Sequence, residues 1–271
     1  MARAPRTSEP DEATRQAVEA LGPWFHNLHL RDGSQTAPDH PLGDFPRFKW
    51  LELAPQLPQD LSGWSALDIG CNAGFYSFEL AERGARVTGI DLDPRYLEQA
   101  RWAAAHYGLA ERVTFERLQV YDLAHRAESY DLVLFMGVFY HLRYPLLGLD
   151  IVAQKVRRAL VFQTLTMPGG EVEIDTVVAD LNDRAPLTRP GWPKLAFLEH
   201  HFGGDPTNWW APNDAAVRAL LRSAGLKVTG EAGHEIYLCA PDPNRPSCVG
   251  TWNRAEWLAA TGRPWRKDEG S

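Results

Sequence analysis

The run Leu67-Asp68-Ile69-Gly70-Cys71-Asn72-Ala73-Gly74-Phe75 holds the residues best suited to grip a ligand. An apolar strand ends there, the chain turns on small residues, and a helix begins. Gly70 and Gly74 let the backbone come close to a bound molecule, and the first turn of the helix offers N–H groups without helical partners. Asn72 stands where the dinucleotide pattern G-x-G-x-x-G has its middle glycine, which argues against a nicotinamide cofactor. Twenty-one residues after Gly70, the stretch Gly89-Ile90-Asp91-Leu92 puts an acid at the end of the next strand. A carboxylate at that place can accept both hydroxyls of a ribose. Its alternative use is to cap the helix that opens at Asp93-Pro94.

Further along, Tyr140 and His141 follow a fourth strand, at the carboxyl edge where open sheets bind ligands. His141 there suits a general base near neutral pH, or else a structural histidine bonded to a carbonyl. Tyr140 reads as lining the cleft. In Glu199-His200-His201, with Asp205 close behind, the two histidines are adjacent and point different ways, so no shared metal is expected. They read as a polar lid, with substrate contact by His200 and His201 as the other use. Trp209 and Trp210 read as lid packing, with stacking on a substrate as the alternative. Arg157-Arg158 reads as a solvated helix end.

These residues need a scaffold that brings strand ends together. Strands are expected at 65–69, 85–90, 113–118, 131–135 and 159–164. Helices are expected at 75–83, from Pro94 to Tyr107 with Gly108 as its stop, and at 145–157. Strand, helix, strand at this cadence predicts a parallel sheet covered on both faces. A helix from Pro10 to Leu21 and an irregular, aromatic stretch to Pro46 come before it, behind a polar tail of about ten residues. The stretch from Met167 to Trp210 has no clear period and reads as a lid or insertion. A helix from Asn213 to Ala224 and two antiparallel strands, 227–231 and 235–240, close the domain. The tail with Trp252, Trp257 and Trp265 is expected to pack back on the body. The expected division is 1–63, a cap segment; 64–240, the ligand-binding domain with a lid at 167–211; and 241–271, a C-terminal extension.

Of 271 residues 44% are apolar, enough for a sizeable core, and no run is long enough to span a membrane. The N-terminus lacks the apolar stretch of a secretory signal, and three widely spaced cysteines indicate neither a disulfide framework nor a zinc site, so a reducing cytoplasm is expected. The net charge of −7 does not suggest a protein built to hold polyanions, although 23 of the 28 cations are arginines and a local patch is compatible with that total.

Taken together, Leu67 to Phe75, Gly89-Ile90-Asp91 and Tyr130-Asp131-Leu132-Val133 resemble the successive motifs of class I S-adenosylmethionine-dependent methyltransferases. The resemblance implies an α/β fold: a doubly wound, mostly parallel, seven-stranded Rossmann-like methyltransferase sheet with an N-terminal helical cap and an inserted lid. It implies that the first loop, with Asp68, Gly70, Asn72 and Gly74, holds the methionyl part of the donor. Asp91 and Leu92 would take the ribose, and Val120 and Tyr121 the adenine, with Gln119 where an acid often stands.

A closer likeness lies in Phe135-Met136-Gly137-Val138-Phe139-Tyr140-His141 with Arg143 and Pro145, in Phe48-Lys49-Trp50, and in Asn208 to Pro212. These are similar to the group containing the tRNA wobble-uridine carboxymethyltransferases, whose donor is carboxy-S-adenosylmethionine. By position, Lys49, Gly70, Asp91, Met136 and Tyr140 match donor-binding residues of that group. The two cations that meet the extra carboxylate do not carry over, since Asp32 and Glu235 stand near their places. Carboxylates beside a further carboxylate cost energy, so plain S-adenosylmethionine is expected over the carboxylated donor. With the acidic total and little chain before Trp50 for an RNA-gripping extension, the reading is methyl transfer to a small-molecule acceptor. Methyl or carboxymethyl transfer to 5-hydroxyuridine of tRNA is the alternative, and a non-catalytic S-adenosylmethionine-binding protein a third. Tyr140 and His141 are the expected catalytic residues. No metal is expected, and the oligomeric state is not legible.

Overall fold

The computed structural model describes residues 11–169, 176 and 180–264. The N-terminal tail, parts of the expected lid and Trp265 lie outside the described residues. In chain order the elements are α1 (Glu12–Ala20), α2 (Arg47–Leu53), β1 (Ser65–Ile69), α3 (Phe75–Glu82), β2 (Arg86–Asp91), α4 (Pro94–Tyr107), β3 (Val113–Arg117) and β4 (Tyr130–Met136). They continue with α5 (Pro145–Ala153), β5 (Val156–Gln163), β6 (Leu195–Phe197), β7 (Trp210–Pro212), α6 (Asp214–Ser223), β8 (Leu226–Glu231), β9 (Ile236–Pro241) and α7 (Arg254–Ala260).

Seven strands form one sheet in the order β3-β2-β1-β4-β5-β9-β8. β1, β2 and β3 run parallel, while β9 is antiparallel to both β5 and β8. The order reverses at β1, and the carboxyl end of a strand at such a reversal is where open sheets bind ligands. The expected doubly wound, mostly parallel sheet is therefore the observed one.

The chain divides into two compact units. The first takes in the described residues up to Gln119 together with Tyr130–Leu134. Leu67, Ile69, Ile90 and Leu97 are fully buried in it. α4 shows how local sequence sets an element: the Asp93 carboxylate accepts the Arg95 N–H at 2.8 Å, Pro94 opens the first turn, and Gly108 closes the helix at φ 66°. The aromatic stretch before α2 packs as expected. Phe25, His26, His40 and Phe45 form ring contacts, and His26 meets Phe75 and Tyr76. Helix α2, which the sequence pattern did not announce, buries Trp50 and Leu53.

The second unit takes in Val120–Ser129 and the described residues from Phe135 onward, with Phe135, Phe139 and Phe162 fully buried. Two expectations are corrected here. Arg157 and Arg158 do not end a helix: α5 stops at Ala153, the Lys155 ammonium donates to the Arg126 carbonyl, and both arginines sit exposed at the start of β5. β-branched Val156 starts that strand, and the buried run begins at Leu160 after the two exposed arginines and half-buried Ala159. Trp252 does not pack back on the body but is 86% exposed, whereas Trp257 lies under the Arg263 guanidinium. The stretch expected to be irregular contains a small antiparallel pair, β6 with β7, registered as Leu195 with Pro212 and Phe197 with Trp210.

Candidate functional site

In the first unit the turn between β1 and α3 is tied to β2. The N–H groups of Gly70 and Cys71 both donate to the Ile90 carbonyl, at 2.8 and 3.0 Å. Asn72 adopts φ 49°, donates its N–H to Asp91 Oδ2 at 2.9 Å, and accepts the Ala73 N–H on its own side chain. Gly74, at φ 87°, begins α3, and a Cβ there would lie 2.7 Å from the Phe78 ring and 3.0 Å from that of Phe115. Only glycine meets both the backbone and the space requirement.

Two carboxyls line this turn. Asp68 is 2% exposed, accepts the Ser77 hydroxyl at 2.7 Å, and is pushed up to about 6, mainly by burial and further by Asp91. Burial also raises Asp91, against the pull of backbone N–H groups of Asp93, Asn72 and Leu92. Asp93 is the residue that caps α4, and Asp91 braces it by accepting the Asp93 N–H at 2.9 Å. Leu92, beside it, is 53% exposed, a large apolar side chain next to a polar ribose-type acceptor. Acids raised in this way are relieved by a positive ligand. Lys49 on α2 holds its ammonium 5.8 Å over the Phe45 ring. Asp32 binds the N–H and hydroxyl of Ser34 and the N–H of Asp11, while the Arg31 guanidinium donates to the Tyr107 carbonyl. Asp32 thus serves its own turn.

In the second unit Val120 is buried, and the Tyr121 hydroxyl accepts the Tyr144 N–H at 3.2 Å. Met136 ends β4 in the core, and Gly137 follows at φ 70°. Tyr140 is pushed up to about 12 by burial, with Glu235 and Asp205 adding to the rise. Its hydroxyl therefore stays protonated near neutral pH.

His141 is held by the loop that leads into β7. Its Nδ1 lies 2.9 Å from Thr207 Oγ1 and 3.3 Å from the Thr207 carbonyl, and the Thr207 hydroxyl donates to Asp205 at 2.7 Å. A carbonyl only accepts, and the hydroxyl proton is already given to Asp205, so Nδ1 carries the ring proton and Nε2 keeps its lone pair. Burial lowers the His141 pKa below 6.5, partly offset by Asp205 and Thr207. A neutral imidazole with a free lone pair is a competent base.

Glu235, at φ 63°, is tied down by the N–H and hydroxyl of Thr166, both at 2.7 Å, and by the Gln163 amide at 3.4 Å. Its ion-pair partner among the described residues is His234, at 3.6 Å. Gln163 was not singled out from the sequence. It is buried, its Oε1 has no partner, and a Cβ on Gly137 would lie 3.8 Å from both that atom and the Tyr140 hydroxyl. Its signal was its place at the carboxyl end of β5.

The histidines of the expected lid behave otherwise. His200 is exposed, 4.0 Å from Glu199, and His201 is exposed as well; Asp205 joins His141. Trp209 donates its N–H to the Tyr140 carbonyl at 2.8 Å, and its ring lies parallel to that of Phe197. Among the described residues no group of three His, Cys, Asp or Glu side chains could hold a metal, and no helix is long and apolar enough to cross a membrane.

Residues 66–161, which include the glycine turn, Asp91 and Tyr140-His141, match the methyltransferase domain family. That stretch of the chain matches as a methyltransferase domain. The N-terminal domain of EvdMO1, solved in the presence of SAH and D-fucose, shares its fold with a TM-score of 0.56 at 18% identity, covering 89% of this chain and 99% of that domain. So does an S-adenosylmethionine-dependent methyltransferase from Listeria monocytogenes, described as putative in its own report, with a TM-score of 0.52 at 20% identity over 72% of this chain and 98% of that one. In sequence, the chain is similar to the tRNA U34 carboxymethyltransferase of Azotobacter vinelandii, 30% identical over 223 residues, 80% of this chain and 60% of that protein. The Cellvibrio japonicus protein of the same name is 28% identical over 229 residues, 80% of this chain and 62% of that protein. The chain thus spans less than two thirds of the length of these curated relatives.

Proposed function

We propose that the chain transfers a methyl group from S-adenosylmethionine to the hydroxyl oxygen of a modified wobble uridine in tRNA, and that the carboxylated donor is not used. Glu235 carries this reading. It stands near the place where the resemblance calls for a cation to meet the donor's extra carboxylate, and it is itself a carboxylate, 15% exposed on its side chain and bound to Thr166 and Gln163. A second carboxylate brought beside it in a partly dry setting is repelled. A sulfonium with no such group meets no such repulsion.

The acceptor half draws its support from the wobble-uridine enzymes among the relatives. The sequence reading had favoured a small-molecule acceptor; the relatives speak for the tRNA alternative. A small hydroxylated acceptor is the second reading, favoured by the net charge of −7.

S-adenosylmethionine supplies an electrophilic methyl group on a positively charged sulfur. The turn from Gly70 to Gly74 would hold its methionyl part, and Asp91 its ribose hydroxyls. Val120 and Tyr121 would face the adenine. Asp68 and Asp91 contribute negative charge that favours a cationic donor. His141 Nε2 takes the proton from the acceptor hydroxyl, with the ring fixed by Thr207 and Asp205. The Tyr140 hydroxyl donates a hydrogen bond to the bound ligands. In-line displacement then depends mostly on orientation and exclusion of water.

The test incubates the protein with tRNA bearing 5-hydroxyuridine at the wobble position and either donor, then reads the nucleosides by mass spectrometry. A methylated nucleoside with S-adenosylmethionine, and none carboxymethylated with the other donor, is expected. Carboxymethylation would overturn the donor assignment, and unmodified tRNA beside methylation of a small hydroxylated compound would overturn the acceptor.

A further inference from the structure

The pairing of β6 with β7 sets Phe197 opposite Trp210, with ring centres 5.1 Å apart. Trp210 is fixed by its Nε1, which donates to the Leu142 carbonyl at 3.1 Å. The Phe197 ring is also parallel to that of Trp209 within 8°, centres 6.3 Å apart, and Phe197 remains 48% exposed. Over both rings lies the guanidinium of Arg143, its central carbon 5.2 Å from the Phe197 centre and 4.9 Å from that of Trp209. Arg143 is exposed and has no ion-pair partner among the described residues.

A guanidinium spread over half-exposed aromatic rings, without an ion-pair partner among the described residues, contributes little to folding, because the rings keep much of their contact with water. The same arrangement is well made for an unpaired nucleotide. Flat rings accept any base by stacking, and the arginine fork keeps N–H donors for a phosphate. Its place in the chain says which nucleotide. Arg143 follows His141 by two residues, and Trp209 is hydrogen-bonded to the Tyr140 carbonyl, so the platform is continuous with the segment assigned to the acceptor.

We propose that Arg143, Phe197 and Trp209 form a stacking platform for an unpaired anticodon-loop base that flanks the modified uridine. This rests on the tRNA reading above. Phe197 supplies the open ring face, Trp209 backs it, and Arg143 holds the adjoining phosphate.

The experiment measures binding of a fluorescent anticodon stem–loop by anisotropy across a salt series, for the whole chain and for Arg143→Ala and Phe197→Ser. Both altered side chains are exposed, and thermal melts confirm folding of each variant. Each is expected to weaken binding about tenfold. The arginine variant should also lower the slope of log affinity against log salt by about one, which the phenylalanine variant should leave unchanged. Binding to a fully paired RNA hairpin without an open loop should not respond to Phe197→Ser. If the parent methylates tRNA while both variants bind the stem–loop as tightly as the parent, the platform is wrong and the tRNA reading stands. If the parent neither binds nor methylates tRNA, the acceptor reading fails and takes this assignment with it. An equal loss on the paired hairpin would replace base stacking by simple charge attraction and overturn the proposal.

Discussion

Replacing Asp68 by Asn tests whether the carboxyl beneath the glycine turn is held protonated by its burial. The side chain is 2% exposed and accepts from the hydroxyl and the N–H of Ser77, donors that an amide oxygen serves equally. Burial, with the charge of Asp91, lifts the group from 3.8 to about 6. An acid raised on folding binds its proton more tightly in the native chain than in the unfolded one. Stability is therefore highest below the unfolded value and falls as pH rises from 3.8 to about 6. The full effect is about 3 kcal/mol, and about 2 kcal/mol of it falls between roughly pH 4.5 and pH 7.5, where the protein can be studied conveniently. Urea unfolding of parent and Asp68→Asn at several pH values should show the variant gaining on the parent by about that much over the interval. The comparison cancels every other titrating group that the substitution leaves alone. A difference between the two proteins that stays constant with pH would refute the reasoning, because it would mean that Asp68 titrates alike in both states.

Three further outcomes are expected. Asp91→Ala should weaken S-adenosylmethionine binding by about tenfold or more in calorimetry, since it removes the proposed acceptor of the ribose hydroxyls; unchanged affinity would remove Asp91 from the donor site. Glu235→Arg should move preference toward the carboxylated donor by about tenfold or more, read as the ratio of dissociation constants for the two donors, and an unaltered ratio would deny Glu235 its part in selection. For His141 the active form is the neutral base, and burial keeps its pKa below 6.5, so kcat/KM on tRNA should rise with pH through a value below 6.5 and then level off. His141→Ala should lower the rate about a hundredfold and abolish that acid limb; a limb that persists in the variant would assign it to another group.

How much of this was legible beforehand depends on how local each feature is. The span of α4 is set by Asp93, Pro94 and Gly108, all within or next to the helix, and its limits agree with the sequence reading. The turn from Gly70 to Gly74 is equally local. The α5 to β5 boundary was misplaced because an apolar run fits both helical and strand periods until Val156 and the exposed arginines resolve it. The support of His141 was out of reach for another reason. Thr207 lies 66 residues away in a stretch with no periodic signal, and only the folded loop brings its hydroxyl and Asp205 to the ring. The adjacent pair His200-His201 drew notice by composition, yet both residues remain at the surface. Gln163 carries no motif at all; its role depends on the space that Gly137 leaves open beside it.

The central claim is that this fold holds an uncarboxylated adenosyl sulfonium. Native mass spectrometry of the purified chain, offered equal amounts of S-adenosylmethionine, its carboxylated form and NAD, weighs the three ligands in one measurement. The complex should carry the mass of S-adenosylmethionine. A complex dominated by the carboxylated donor or by the dinucleotide would contradict the account.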